Sequence, residues 1–225
     1  MAAHPLDRPV WSALTSGWSH LARGGPAALR IDPAYGLFAA AADGSQESRA
    51  ALAALVPAIG PLWAVEAEAV DLPGLVVHHA DCAQMVAEAI APGETTVEIV
   101  LLSEADAPAM RALAHLTKPG PFLERTHQLS QFLGVRLDGR LAAMAGERMR
   151  LPGFREVSGV CTHPDARGRG YAGALMRAVG RRILARGETP FLHAYAANTG
   201  AIGLYESLGF ATRREVVLSA FNREA

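Results

Sequence analysis

The sequence predicts an α/β fold, a mixed sheet of the α+β kind preceded by a smaller α/β region. Three observations predict it. Strand-like apolar runs alternate with helix-periodic ones along the chain. Asp138-Gly139 between two such runs is a strong antiparallel hairpin signal, which a purely parallel sheet lacks. A turn cluster, Ala91-Pro92-Gly93-Glu94, separates two patterned regions, so 1–92 is expected as an amino-terminal α/β region and 93–225 as the main domain. Half of the 225 residues are apolar, enough for a sizeable core.

Upstream of the boundary the pattern reads as a helix over 8–22, a Gly-Gly-Pro break at 24–26 and a strand over 35–41. A helix over 46–55 follows, with Ser45 as its cap. Strands are expected over 62–69 and 75–79, the second leading into a helix that ends at Ile90. Downstream, 96–102 reads as a strand, and Ser103 caps a helix through His115, with Glu104 and Asp106 in its first turn. Pro119-Gly120-Pro121 ends that region. Strands over 130–137 and 140–149 form the hairpin, and 156–162 is the next strand. In the helix that opens at Gly168, Tyr171, Leu175, Val179 and Ile183 recur every four residues as a buried stripe. Its arginines Arg177, Arg181, Arg182 and Arg186 are expected on a solvated face. A strand over 189–196, a helix over 199–208 and a last strand over 210–221 complete the chain.

Residues 157–173, VSGVCTHPDARGRGYAG, carry the most chemical information. A strand runs into a Pro-Asp turn, and glycines then open a helix. Such glycines let backbone N–H groups approach a ligand closely, while the helix N-terminus favours negative charge. A phosphate or pyrophosphate is the implied ligand. Gly168, Gly170 and Gly173 can be read as a G-x-G-x-x-G dinucleotide fingerprint, with Glu188 as its acidic partner. In a dinucleotide unit, however, the glycines follow the strand at once and the acid ends the second strand. Here five residues, 163–167, intervene and Glu188 precedes the second strand.

The alternative is Arg167-x-x-Gly170-x-Ala172 followed by a strand and then by Asn198-x-x-Ala201-x-x-x-Tyr205-Glu206-x-x-Gly209-Phe210. This order resembles the second half of the GNAT N-acetyltransferase superfamily. The resemblance spans roughly residues 95–220, with its specific motifs within 156–210. It implies a GNAT fold over 93–225, whose usual final two-strand hairpin is shortened to one strand or completed from elsewhere. The two-part build is similar to glycine N-acyltransferase-like members, in which 1–92 would be a degenerate half of the same fold.

The resemblance implies acetyl-coenzyme A as co-substrate and no metal. Backbone amides from Gly168, Arg169, Gly170, Tyr171, Ala172 and Gly173 would cradle its pyrophosphate, helped by Arg167 or Arg169. Val160, Cys161 and Thr162 would pair with the pantetheine arm, with the Val160 amide on the thioester carbonyl, an arrangement worth up to ~4 kcal/mol in comparable sites. Cys161 is expected to be an inert thiol rather than a nucleophile. Glu156 stands at the offset from Arg167 where histone-type members place a general base, and its parity matches that of Val160. His193 or a water chain is the competing base. Tyr205, two helical turns after Asn198, matches the family's acid, and Asn198 its coenzyme-binding asparagine or simply a helix cap.

The reading is therefore an N-acetyltransferase acting on a small-molecule or peptide amine. Its alternatives are an acyl-coenzyme A:amino acid N-acyltransferase and a non-catalytic acyl-coenzyme A binding module. The acceptor is expected between 103–128 and the 129–150 hairpin. Formal net charge is −1, which gives no basic surface for nucleic acid. Only two cysteines, no signal-like start and no apolar run of membrane length point to a cytoplasmic protein, as monomer or homodimer. The remaining histidines show no ligand spacing.

Overall fold

The computed structural model describes residues 4–93 and 97–223. Eleven strands and five α-helices build two sheets among the described residues. The smaller sheet is an antiparallel meander of β1 (Ala22–Gly25), β2 (Ala28–Ile31) and β3 (Ala39–Ala41). The larger has eight strands in the order β4-β11-β5-β10-β9-β8-β7-β6. These are β4 (Leu62–Glu66), β5 (Val76–Val86), β6 (Val100–Leu101), β7 (Leu133–Leu137), β8 (Arg140–Leu151), β9 (Phe154–Thr162), β10 (Thr189–Tyr195) and β11 (Ala211–Asn222).

The large sheet takes strands from both sides of residue 92. β5 pairs with β11 along its length and with β10 over Cys82–Val86, and β4 caps the edge beyond β11. Residues before and after the boundary therefore share one sheet, and the missing end of the fold is supplied by the amino-terminal region. The helix expected up to Ile90 is strand instead. Cys82, Ala83, Gln84 and Met85 are all buried, because both faces of β5 are covered over that half of the strand. A strand buried on both faces shows no period-2 alternation, and small residues such as Ala and Cys read as helical.

Other elements lie close to their expected positions. Ser45 caps α2 (Gln46–Ala54), its hydroxyl accepting from the Ser48 amide at 3.2 Å. Asp138 and Gly139, both at positive φ, turn β7 into β8. Ser103 and Asp106 form a reciprocal capping box ahead of α3 (Ala107–Thr117). The helix expected over 8–22 shortens to α1 (Pro9–Leu14) with 3-10 turns on either side. The strand expected over 96–102 is confined to Val100–Leu101, and residues 94–96 lie outside the described residues.

Each face of the large sheet has its own cover. α4 (Tyr171–Leu184) lays Leu175, Val179 and Ile183 on one face, all fully buried against Ala83, Val157, Leu192 and Ala194. α1 and the small sheet cover the other face, where Leu6, Val10, Leu14, Phe38, Val65, Phe191 and Val216 pack. Of the four arginines expected on a solvated face of α4, Arg182 and Arg186 instead bind the buried carboxylate of Glu147 on β8, each at 2.8 Å. A buried charge needs such partners, and β8 supplies one that sequence spacing cannot show.

Candidate active site

Among the described residues, β9 and β10 are the only parallel neighbours in the large sheet, and they pair over three positions, ending at Glu156 opposite Phe191. Beyond that point they part, since β9 stays with β8 and β10 with β5. The opening is a cavity of about 740 Å³. Its walls carry Val160, Cys161 and Thr162 from β9 and His193, Ala194 and Tyr195 from β10.

A bulge shapes the β9 wall. Between Met144 and Gly146 the register with β8 skips one residue of β9, so Gly159 or Val160 has no partner there. Gly159 has φ +63, a conformation L side chains rarely adopt, and a Cβ would also strike Phe132 at 2.8 Å. The bulge leaves the Val160 backbone beside the opening with no strand on its other side.

At one end of the cavity lies the amino end of α4. Gly170 is its N-cap in the left-handed conformation, with φ +76, and it offers no side-chain capping bond. The N–H groups of Tyr171, Ala172 and Gly173 are thus left for an external acceptor. A Cβ on Gly168 or Gly170 would meet no atom within 4 Å, so the loop is open to the cavity side. Arg167, Arg169 and Arg177 line the same end. Arg177 Nε is buried without a hydrogen-bond partner among the described residues, and Thr162 Oγ1 likewise. Open N–H groups, three guanidinium groups and an unmet buried donor fit a ligand with linked phosphates.

Asn198, Ala201, Leu204 and Tyr205 line the wall below. Asn198 caps α5 (Thr199–Ser207), its side-chain oxygen accepting from the Ala201 amide at 3.2 Å, while also facing the cavity. Burial raises the pKa of Tyr205 and so keeps its phenol protonated. Cys161 is a buried free thiol, and burial pushes its pKa up to about 11 despite a hydrogen bond with Thr117. Inertness is the consequence.

Every residue expected to hold the coenzyme therefore lies on one cavity, together with Tyr205. Glu156 does not join them. It is fully buried at the point where the strands part, and β8 and β10 saturate its carboxylate. Arg148 donates to it twice, at 2.7 and 2.8 Å, the Met149 amide once at 3.3 Å, and His193 Nδ1 lies 2.9 Å from Oε1. Burial alone would raise its pKa, but Arg148 and then His193 hold it down at about 2. A carboxylate so engaged is a poor proton acceptor. The members of this cluster on the cavity wall are His193 and Arg148. His193 Nε2 lies 3.3 Å from the Gln84 amide nitrogen, whose carbonyl end accepts from Arg213 at 2.9 Å. That orientation makes Gln84 a donor to Nε2 and puts the imidazole proton on Nδ1, toward Glu156.

Sequence reasoning missed Arg148, Arg177 and Gln84, and a whole wall of the cavity. Arg177 stands one helical turn after Gly173, a spacing that could have marked it. From the region expected to hold the acceptor, only 117–121 and Arg148 line the cavity. The rest of that side is Phe38, Trp63, Val65 and Cys82, drawn from the first 90 residues, with Leu218 of β11.

Comparison with known proteins agrees with this architecture. The family model described as FR47-like protein matches residues 132–218. A crystal structure described as an acetyltransferase from the GNAT family of Novosphingobium aromaticivorans is 49% identical, covers 99% of this chain and 100% of its own, and superposes with a TM-score of 0.93. A GCN5-related N-acetyltransferase from Kribbella flavida is 17% identical over 99% of this chain and 98% of its own, with a TM-score of 0.68, which shows a shared fold. No curated protein matches the chain.

Proposed function

The chain belongs to the GNAT family of acetyltransferases, and we propose that it moves the acetyl group of acetyl-coenzyme A to a primary amine by direct attack within the β9/β10 opening. The observation that carries this reading is the continuity of one cavity from the uncapped amino end of α4, along the bulged β9, to Tyr205 and His193. Bound acetyl-coenzyme A would supply an activated acetyl thioester. The residues of the chain would hold it, orient it and move two protons.

Holding falls to the α4 amino end. N–H groups of residues 171–173 and the guanidinium groups of Arg167, Arg169 and Arg177 complement a pyrophosphate. The Val160 amide would donate to a carbonyl oxygen lying in the opening, and such a donor strengthens as negative charge develops there. The phenol of Tyr205, kept protonated by burial, is the proton source for a departing thiolate.

Attack requires a neutral amine. Among the described residues that line the cavity there is no carboxylate, and burial pushes the thiols of both Cys82 and Cys161 up to about 11. Imidazole is the remaining lining group suited to accept a proton near neutral pH. His193 Nε2 would take the proton, giving up its long contact with Gln84. Glu156 would stabilise the imidazolium through Nδ1, acting as a positioning residue rather than as the base itself.

The amino-terminal region, in this reading, completes the sheet through β4 and β5 and closes the cavity. Two buried free cysteines suit a reducing compartment such as the cytoplasm. No helix among the described residues is long and apolar enough to cross a membrane. Free coenzyme A release from acetyl-coenzyme A, followed with thiol reagent in the presence of a primary amine, tests the proposal. Amine-dependent release is expected. Release that does not depend on any amine would contradict it.

A further inference from the structure

The cavity has two ends of different character, on opposite faces of the sheet. Tyr205, Leu204 and Tyr171 belong to the α4 side. His193 lies on the other side, because along β10 it shares the parity of Phe191, whereas Leu192 and Ala194 pack under α4. The imidazole and Phe191 rings sit edge to face at 5.6 Å. Around His193 on that face the wall is Phe38, Trp63, Val65, Cys82 and Leu218. Tyr195, at the same parity as His193, and Arg148 are the polar groups on an otherwise apolar wall. Phe38 and Trp63 meet at 6.0 Å and 85°, and the Arg148 guanidinium lies 4.5 Å over the Phe38 ring.

Charge sharpens the distinction. Lys118, Arg148, Arg167, Arg169 and Arg177 line the cavity, and no Asp or Glu does among the described residues. The nearby carboxylate of Glu156 is already occupied by Arg148, His193 and the Met149 amide. A second ammonium on an acceptor would be desolvated here with no anionic partner, since the arginines at the α4 end serve the coenzyme and Arg148 is paired with Glu156.

We infer that the acceptor is a monoamine carried on an apolar group of aromatic or branched-aliphatic size, seated against Phe38, Trp63 and Leu218 with its nitrogen toward His193, and not a polyamine. This inference rests on the proposed acetyl transfer and deepens it by naming the acceptor class.

The test uses the full chain with acetyl-coenzyme A and measures kcat/KM for 2-phenylethylamine, isoamylamine and L-phenylalanine against spermidine and cadaverine. The best apolar monoamine should exceed the best polyamine at least tenfold. Trp63→Ala should raise KM for the apolar acceptor about tenfold and leave KM for acetyl-coenzyme A unchanged. Leu218→Glu, which places a carboxylate on the wall, should cut the apolar preference at least tenfold, read on protein whose melting shows it folded. A preference for polyamines, or turnover of no apolar monoamine by protein that binds acetyl-coenzyme A in calorimetry, would overturn the acceptor class while leaving coenzyme binding intact. Unchanged selectivity in a folded Leu218→Glu variant would overturn it too. Failure of the wild type to bind acetyl-coenzyme A would instead remove the acetyl-transfer reading beneath it.

Discussion

Glu156 Oε1 lies 2.9 Å from His193 Nδ1 across the last rung before β9 and β10 separate. The pair joins the closed part of the sheet to the open part. Glu156 belongs to the buried side of the junction, and His193 to the cavity wall. In acetyl transfer this division gives the two residues different roles, and each has its own experimental signature.

Replacing His193 by Ala would remove the proposed proton acceptor on the wall. We expect kcat/KM to fall by roughly 10²–10⁴, the range of a lost general base. The deficit should shrink as pH rises toward the pKa of the acceptor amine, where more of it is already neutral. A pH–rate profile of the variant parallel to that of the wild type would assign the proton to water.

Glu156→Gln probes stability as well as rate. Its folded pKa of about 2 lies below the ordinary 4.5, so its contribution is fully present above the ordinary value and is lost as pH falls through the folded one. At pH 7 the variant leaves the partly buried Arg148 guanidinium without its ion partner, at a cost of up to about 3–5 kcal/mol. Denaturant unfolding should show that gap at neutral pH and a narrowing gap between pH 4.5 and about 2. A gap independent of pH would mean that packing, not charge, ties Glu156 in place.

Tyr205→Phe retains the ring that packs near Phe210 and removes only the hydroxyl. We expect kcat to drop roughly 10–1000-fold, as for a lost general acid, with acetyl-coenzyme A affinity nearly kept. Wild-type turnover would reduce Tyr205 to a wall residue.

The proposed phosphate-binding end was legible in the sequence because its chemistry is local. Gly168, Gly170, Asn198 and Tyr205 act through backbone turns and helix spacing, which adjacent residues encode. The opposite wall was not legible, because Phe38, Trp63, Cys82 and Leu218 meet only through strand pairings that cross most of the chain. β5 hid for a related reason: burial on both faces erases the alternation by which a strand is recognised. Glu156 was found by its offset from Arg167, yet that offset could not show that Arg148, eight residues earlier, would claim its carboxylate. Arg182 and Arg186 looked solvated for want of any local sign of Glu147.

The central claim, that acetyl-coenzyme A lies along the β9/β10 opening with its pyrophosphate at the amino end of α4, is tested most directly by titration calorimetry of wild type and Gly170→Val. Valine at φ +76 strains the N-cap by about 1–2 kcal/mol and adds bulk to the open loop proposed to hold the phosphates. The account predicts one acetyl-coenzyme A site per wild-type chain and an affinity at least tenfold weaker in a variant that still melts cooperatively. Equal affinity in the two folded proteins would contradict it.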